Sequence, residues 1–256
     1  MTQPAILALE DGSVFTGISV GAAGKVTGEI QLNTTMTGYQ EALTNPNVSQ
    51  QLMAFTYPHI GNSGINEEDH LNLSLSQKVT AQGVILRSLA PVASNFRSNL
   101  SLEDWLVQQG VPAIAEIDTR KLAKVLRLAG SKQQLLKACL IAGEEAAAED
   151  AAEQAIALAK AAPSLAGQDL TQELGVKEIT PWQEGNWQLG EGYSQVDAEA
   201  ASKKVVVYDL GVQADLLRQL TSLGCSVTLV PATTPLAEAL ALNPQGVVLS
   251  NGAGCP

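Results

Sequence analysis

The sequence predicts an α/β protein in two domains: a β-rich mixed N-terminal domain, then a β-α-β-α-β unit built on a parallel sheet. Three observations predict it. Short apolar runs separated by Gly, Asn, Thr and Pro clusters fill roughly the first 115 residues, as strands and loops do. From Val205 onward, continuous apolar runs alternate with helical periodicity. Between these regions, "SQVDAEAASKK" (194–204) is polar and reads as a linker. The expected domains are therefore residues 1–193 and 205–256, joined by 194–204.

The N-terminal elements follow in order. "AILALEDGSVFTGISVG" sets Asp11-Gly12 between two apolar runs, a hairpin signal. Further strand-like runs lie at 29–33, 52–57, 83–89 and 112–117. "SLEDWLVQQG" is a helix with Ser101 and Asp104 spaced as a capping box and Gly110 as its stop. In "DTRKLAKVLRLAG", Leu122, Val125, Leu126 and Ala129 fall at helical spacing, with Asp118 or Thr119 as N-cap and Gly130 as stop. "GEEAAAEDAAEQAIALAKAAP" is the strongest helix, with acids in its first turn, Lys160 near its end and Pro163 beyond. Residues 176–193 turn to Trp, Gly and polar side chains, with no element predicted.

In the last 52 residues, "VVVYDLG" reads as a strand buried on both faces. "VQADLLRQLTSLG" is a helix, "CSVTLVP" a strand, "TPLAEALALNPQG" a helix and "VVLSNGAG" a third strand with its loop. Right-handed crossovers make this sheet parallel. Ligands bind such sheets at the carboxyl ends of the strands, where Asp209-Leu210-Gly211 and Ser250-Asn251-Gly252 fall.

Composition narrows the chemistry. A formal charge of −11 with no Lys/Arg-rich run argues against nucleic-acid binding. No apolar run approaches a membrane span, and "MTQPAILALEDGS" has no signal-peptide pattern, so the expected location is the cytoplasm. Cys139, Cys225, Cys255, His59 and His70 lack zinc-site spacing, so no metal is expected here. A dinucleotide fold needs G-x-G-x-x-G after the first strand, but only Gly211 is present; a Walker loop is also absent. Asp209 suits a phosphate-accepting receiver sheet poorly, because the third strand ends in Ser-Asn. Cys255 has no histidine in its segment to act as a base. The "SNGAG" loop is either a tight turn needing positive φ or a set of N–H groups aimed at developing negative charge. Pattern alone leaves both readings open.

"NTTMTGYQEALTNP" (33–46), "TYPHIGNSGIN" (56–66), "ASNFR" (93–97) and "IDTRKLAKVLR" (117–127) resemble, in order and spacing, the small subunit of glutamine-hydrolysing carbamoyl-phosphate synthase. "VVVYDLG" and "VVLSNGAGCP" resemble the opening of its class I glutamine amidotransferase domain, which is flavodoxin-like. The resemblance implies a subunit that releases ammonia from glutamine. A large ATP-using subunit takes up the ammonia to make carbamoyl phosphate, for pyrimidine and arginine synthesis. It also implies docking through the N-terminal domain, and ATP and metal only in the large subunit. The family loop reads S-N-G-P-G-D-P, so a glutamine-binding role carries over to Gly252 and Gly254.

Departures from the family pattern bear on activity. Ala253 and Cys255 replace Pro and Asp of the loop, Gln213 stands where a Lys is usual, and Asn47 where a Ser is frequent. If that Lys holds the substrate carboxylate, its loss weakens glutamine binding by roughly ten- to a hundredfold. The resemblance places the nucleophilic Cys and its His and Glu partners beyond Pro256, so no catalytic residue is expected within the chain. Loss of a nucleophile from a comparable triad costs on the order of 10⁶ in turnover. The expectation is a chain inactive by itself, or a non-catalytic docking module or decayed copy.

Overall fold

The computed structural model describes residues 2–73, 78–130, 135–197 and 201–253. The chain divides into two compact units, Met1–Asp69 with Gln77–Leu165, and His70–Ser76 with Ala166–Pro256.

The first unit is built on seven strands: β1 (Pro4–Leu9), β2 (Val14–Ser19), β3 (Gly24–Asn33), β4 (Gln51–Phe55), β5 (Gly83–Ile85), β6 (Ala113–Ala115) and β7 (Lys137–Ala142). They close into a barrel in the order β1-β2-β6-β5-β4-β3-β7. Neighbours from β3 through β4 and β5 to β6 are parallel, and the other pairs are antiparallel. The Asp11 hairpin forms as predicted: Leu9 N–H donates to Ser13 O at 2.8 Å, and Ser13 N–H donates to the Asp11 carboxylate at 2.8 Å.

Strand alternation sorts the core. Leu7 and Leu9 of β1, Leu52 and Ala54 of β4, and Leu140 of β7 share one apolar cluster inside the barrel. Their neighbours point outward and are covered by helices. Ile6, Ala8, Cys139 and Ile141 lie under α4 (Ala151–Ala161), whose Ala151, Ala155 and Ala159 recur every fourth residue and permit close approach. Met53 and Phe55 share a cluster with Leu43 of α1 (Tyr39–Thr44) and with Trp105 and Leu106 of α2 (Leu102–Gln108). Ser101 caps α2 by accepting from Asp104 N–H at 3.0 Å. Asp118, of the two candidates, caps α3 (Thr119–Gly130), accepting from Lys121 N–H at 2.9 Å.

The alanine-rich helix is shorter than the sequence suggests. Glu144–Ala147 form a 3₁₀ turn, and Ala148 takes an extended backbone (ψ 144°) that interrupts the ladder before α4 begins. Burial of the Ala151 stripe against β1 and β7 sets the register that local propensity leaves open.

Burial also pushes the Cys139 thiol up to about 11, against the opposing pull of Lys25. Cys225 is only partly buried. Iodoacetamide at neutral pH is therefore expected to label Cys225 well before Cys139 in the folded protein, with denaturant abolishing the difference. Equal labelling rates by mass spectrometry would contradict the burial of β7.

The second unit holds a four-stranded sheet. Three parallel strands, β11 (Lys203–Asp209), β12 (Cys225–Pro231) and β13 (Gly246–Leu249), take the order β13-β11-β12, which is the 2-1-3 arrangement of flavodoxin-like sheets. The fourth strand, β8 (Thr180–Trp182), runs antiparallel on the outer edge of β12, where Pro181 is tolerated. A hairpin of β9 (Glu184–Gln188) and β10 (Gly192–Gln195) packs on α6 (Ala214–Ser222). The short helix α5 (Thr171–Leu174) precedes β8, and α7 (Leu236–Ala241) links β12 to β13.

Residues 166–193, which the sequence assigns to the N-terminal domain, thus belong to this second unit. Part of the predicted linker is also regular: Ser194 and Gln195 extend β10, and Lys203 and Lys204 open β11, while 198–200 lie outside the described residues. Buried Arg218 ties this unit together. Its Nε donates to Glu184 at 2.7 Å, its Nη1 to Asp215 at 2.9 Å and to His70 O at 3.1 Å, and its guanidinium stacks 3.8 Å from the Tyr193 ring. Among the described residues no helix is long and apolar enough to cross a membrane.

Candidate functional site

The predicted site lies at the carboxyl ends of β11 and β13, which run side by side with Tyr208 opposite Leu249. Asp209 is fully buried at the end of β11. One carboxylate oxygen accepts from Gly211 and Val212 N–H, both at 2.9 Å, and the other from Val176 N–H at 2.9 Å. Buried and engaged by three amides, Asp209 holds the turn and is not the exposed phosphate acceptor of a receiver sheet. Gly211 makes the turn possible with φ 113°, a conformation side chains disfavour.

The two loops are stitched together. Leu210 N–H donates to Ser250 Oγ at 3.0 Å, Ser250 Oγ donates to Asn251 O at 2.7 Å, and Ala253 N–H donates to Leu210 O at 3.1 Å. Gly252 lacks the positive φ that one reading of its loop requires. A Cβ there would sit 3.3 Å from Leu210 O, a tight contact that a shift of a few tenths of an ångström would relieve. Gly252 N–H makes no hydrogen bond among the described residues, whereas Ala253 N–H is committed. Asn251 N–H is likewise unbonded, so among the described residues the loop leaves two backbone donors open, both on exposed residues.

Gly254 and Cys255 lie outside the described residues. Gln213 stands at the N-terminus of α6 with no side-chain capping bond. In the first unit, Asn47 lies in the 3₁₀ turn Pro46–Val48, with its carboxamide oxygen buried and lacking a hydrogen-bond partner among the described residues. Among the described residues no group of three His, Cys, Asp or Glu is placed to hold a metal.

The motifs of the first unit also acquire local roles. Tyr39 Oη donates to Gly64 O at 2.6 Å, and the Gln40 carboxamide bonds both backbone groups of Asn66, at 2.6 and 3.1 Å. "MTGYQE" therefore clamps the loop after "TYPHIGN". Arg97 of "ASNFR" pairs with Glu68 at 2.9 Å and Asp69 at 2.7 Å.

Residues 7–136 match the family model described as "Carbamoyl-phosphate synthase small chain, CPSase domain". The chain belongs to the carbamoyl-phosphate synthase small chain family. Residues 206–256 match the model for class-I glutamine amidotransferases. The carbamoyl phosphate synthase small chain of Halomonas eurihalina is 47% identical over the whole chain, and that of Acinetobacter baylyi is 49% identical over the same span. The small chain of Thioalkalivibrio sulfidiphilus is 49% identical over 99% of the chain. The chain spans 65%, 64% and 63% of the lengths of these curated relatives respectively. Sequence reasoning thus reached the family. It missed the clamp at Val176, because nothing local marks that amide as a partner of a residue on β11.

Proposed function

We propose that this chain serves as the ammonia-supplying side of a glutamine-hydrolysing carbamoyl-phosphate synthase. Its N-terminal domain docks a large ATP-using chain, which alone carries ATP and metal. Its "SNGAG" loop, with Gly252 and Gly254, forms part of the glutamine site. The observation that carries this reading is the open Gly252 N–H at the carboxyl end of β13, a donor suited to the oxyanion of a tetrahedral intermediate. These 256 residues hold no Cys elbow with His and Glu partners, so by themselves they release no ammonia from glutamine.

A non-catalytic docking role is the second reading, favoured by Gln213 and Ala253 at positions where the family carries Lys and Pro. Both readings require the large chain. Size-exclusion chromatography with the carbamoyl-phosphate synthase large chain of Acinetobacter baylyi is expected to show co-elution, with glutamine alone giving background ammonia. Failure to co-elute would remove both readings, whereas ammonia release by the isolated chain would overturn its predicted inactivity.

A further inference from the structure

A cavity of about 900 Å³ opens in the first unit. Consecutive parallel strands build it. Thr56 follows β4, Arg87 follows β5, and Asp118 and Arg120 follow β6, so all enter from carboxyl ends. The stripe Arg120, Lys124 and Arg127, spaced four and three residues apart on α3, forms one wall. Four of the fifteen Lys and Arg residues of a chain with net charge −11 therefore face one cavity.

The arrangement runs against ordinary helix electrostatics. Arg120 sits in the first turn of α3, where the helix dipole disfavours a cation, and that turn holds no acid. Lys124 lies one turn from both Arg120 and Arg127, so like charges stack along one face. The nearby carboxylate, Asp118, is already engaged in capping α3. Among the described residues none of the four cations makes an ion pair or a side-chain hydrogen bond. An anion in the cavity would relieve every one of these conflicts.

We propose that this cavity binds a small polyanion carrying at least two phosphoryl or carboxylate groups. Guanidinium forks from Arg87, Arg120 and Arg127 offer bidentate bonds to such groups, with Lys124 as a point charge. Its volume suits a small molecule. Among the described residues no aromatic side chain lines the cavity, so recognition rests on charge without ring stacking.

Isothermal titration of the 256-residue chain at low ionic strength, with sodium tripolyphosphate in one arm and citrate in another, tests this. Binding at one site in either arm is expected, and the arm that binds identifies the anion class. Arg87→Gln and Arg127→Gln are each expected to weaken it by about tenfold or more. Lys25→Gln, which removes an equal charge elsewhere on the barrel, is expected to leave it unchanged. These positions are exposed, and unaltered melting temperatures will show that the variants fold. Absence of binding in both arms would overturn the proposal, as would equal weakening by Lys25→Gln. Binding of poly-glutamate but of neither small anion would also overturn it, making the cavity a dock for an acidic chain.

Discussion

Asp209→Ala is expected to destabilise the second unit by about 3–5 kcal/mol. The carboxylate is fully buried and accepts from three backbone amides, so the variant leaves two buried donors and one part-buried donor without a partner. An unsatisfied buried group costs about 1–3 kcal/mol, and water entering the gap keeps the total below the simple sum. Asp209→Asn should cost less, about 1–3 kcal/mol. Its carbonyl oxygen can still accept from Gly211 and Val212, but its NH₂ would confront the Val176 N–H. Urea unfolding followed by Trp182 and Trp187 fluorescence in variants lacking Trp105 would read these changes. A wild-type midpoint for Asp209→Ala would show that the amides are satisfied without the carboxylate.

Arg218→Ala is expected to cost about 2–4 kcal/mol, because it removes a buried guanidinium that bonds Glu184, Asp215 and the His70 carbonyl. The side chain of Arg218 is 3% exposed, that of Glu184 21% and that of Asp215 56%. Glu184 is therefore the partner that suffers; the pairing with Asp215 is screened by solvent and contributes little. The guanidinium also covers the Tyr193 ring and satisfies His70 O, so its loss loosens three segments together. Arg218→Lys should recover only part of the stability, since one ammonium cannot reproduce both the planar fork and the stacking. Hydrogen exchange is expected to show β9, β10 and residues 70–73 losing protection before β11 and β12. Uniform loss across the unit would instead mean that the sheet and hairpin unfold as one.

Where sequence and structure agree, the signal is local. Asp11-Gly12 needs only its neighbours to form a hairpin, Ser101 finds Asp104 three residues away, and Asp118 finds Lys121 at the same spacing. The parallel sheet was equally legible, because the apolar run of β11 reads as a strand buried on both faces and helical segments separate it from the next two strands. Where they diverge, the deciding partner is distant. Thr180–Trp182 becomes a strand only by pairing with β12, some forty-five residues on. The segment 70–73 joins the second unit because Ala214 N–H and Arg218 bond to the carbonyls of Leu71 and His70. Neither Pro181 nor His70 announces such a partner.

By itself, then, the sequence determined the family, the order of most elements and the acidic character of the chain. These are written in motifs and periodicities that need no knowledge of distant contacts. Only the tertiary structure decided that Asp209 is a clamp, that Gly252 lies close to Leu210 O, and that Arg87 shares a cavity with the α3 cations. The physical reason is the same in each case. A side chain's chemistry is set by which groups reach it across the fold, and those groups are far away along the chain.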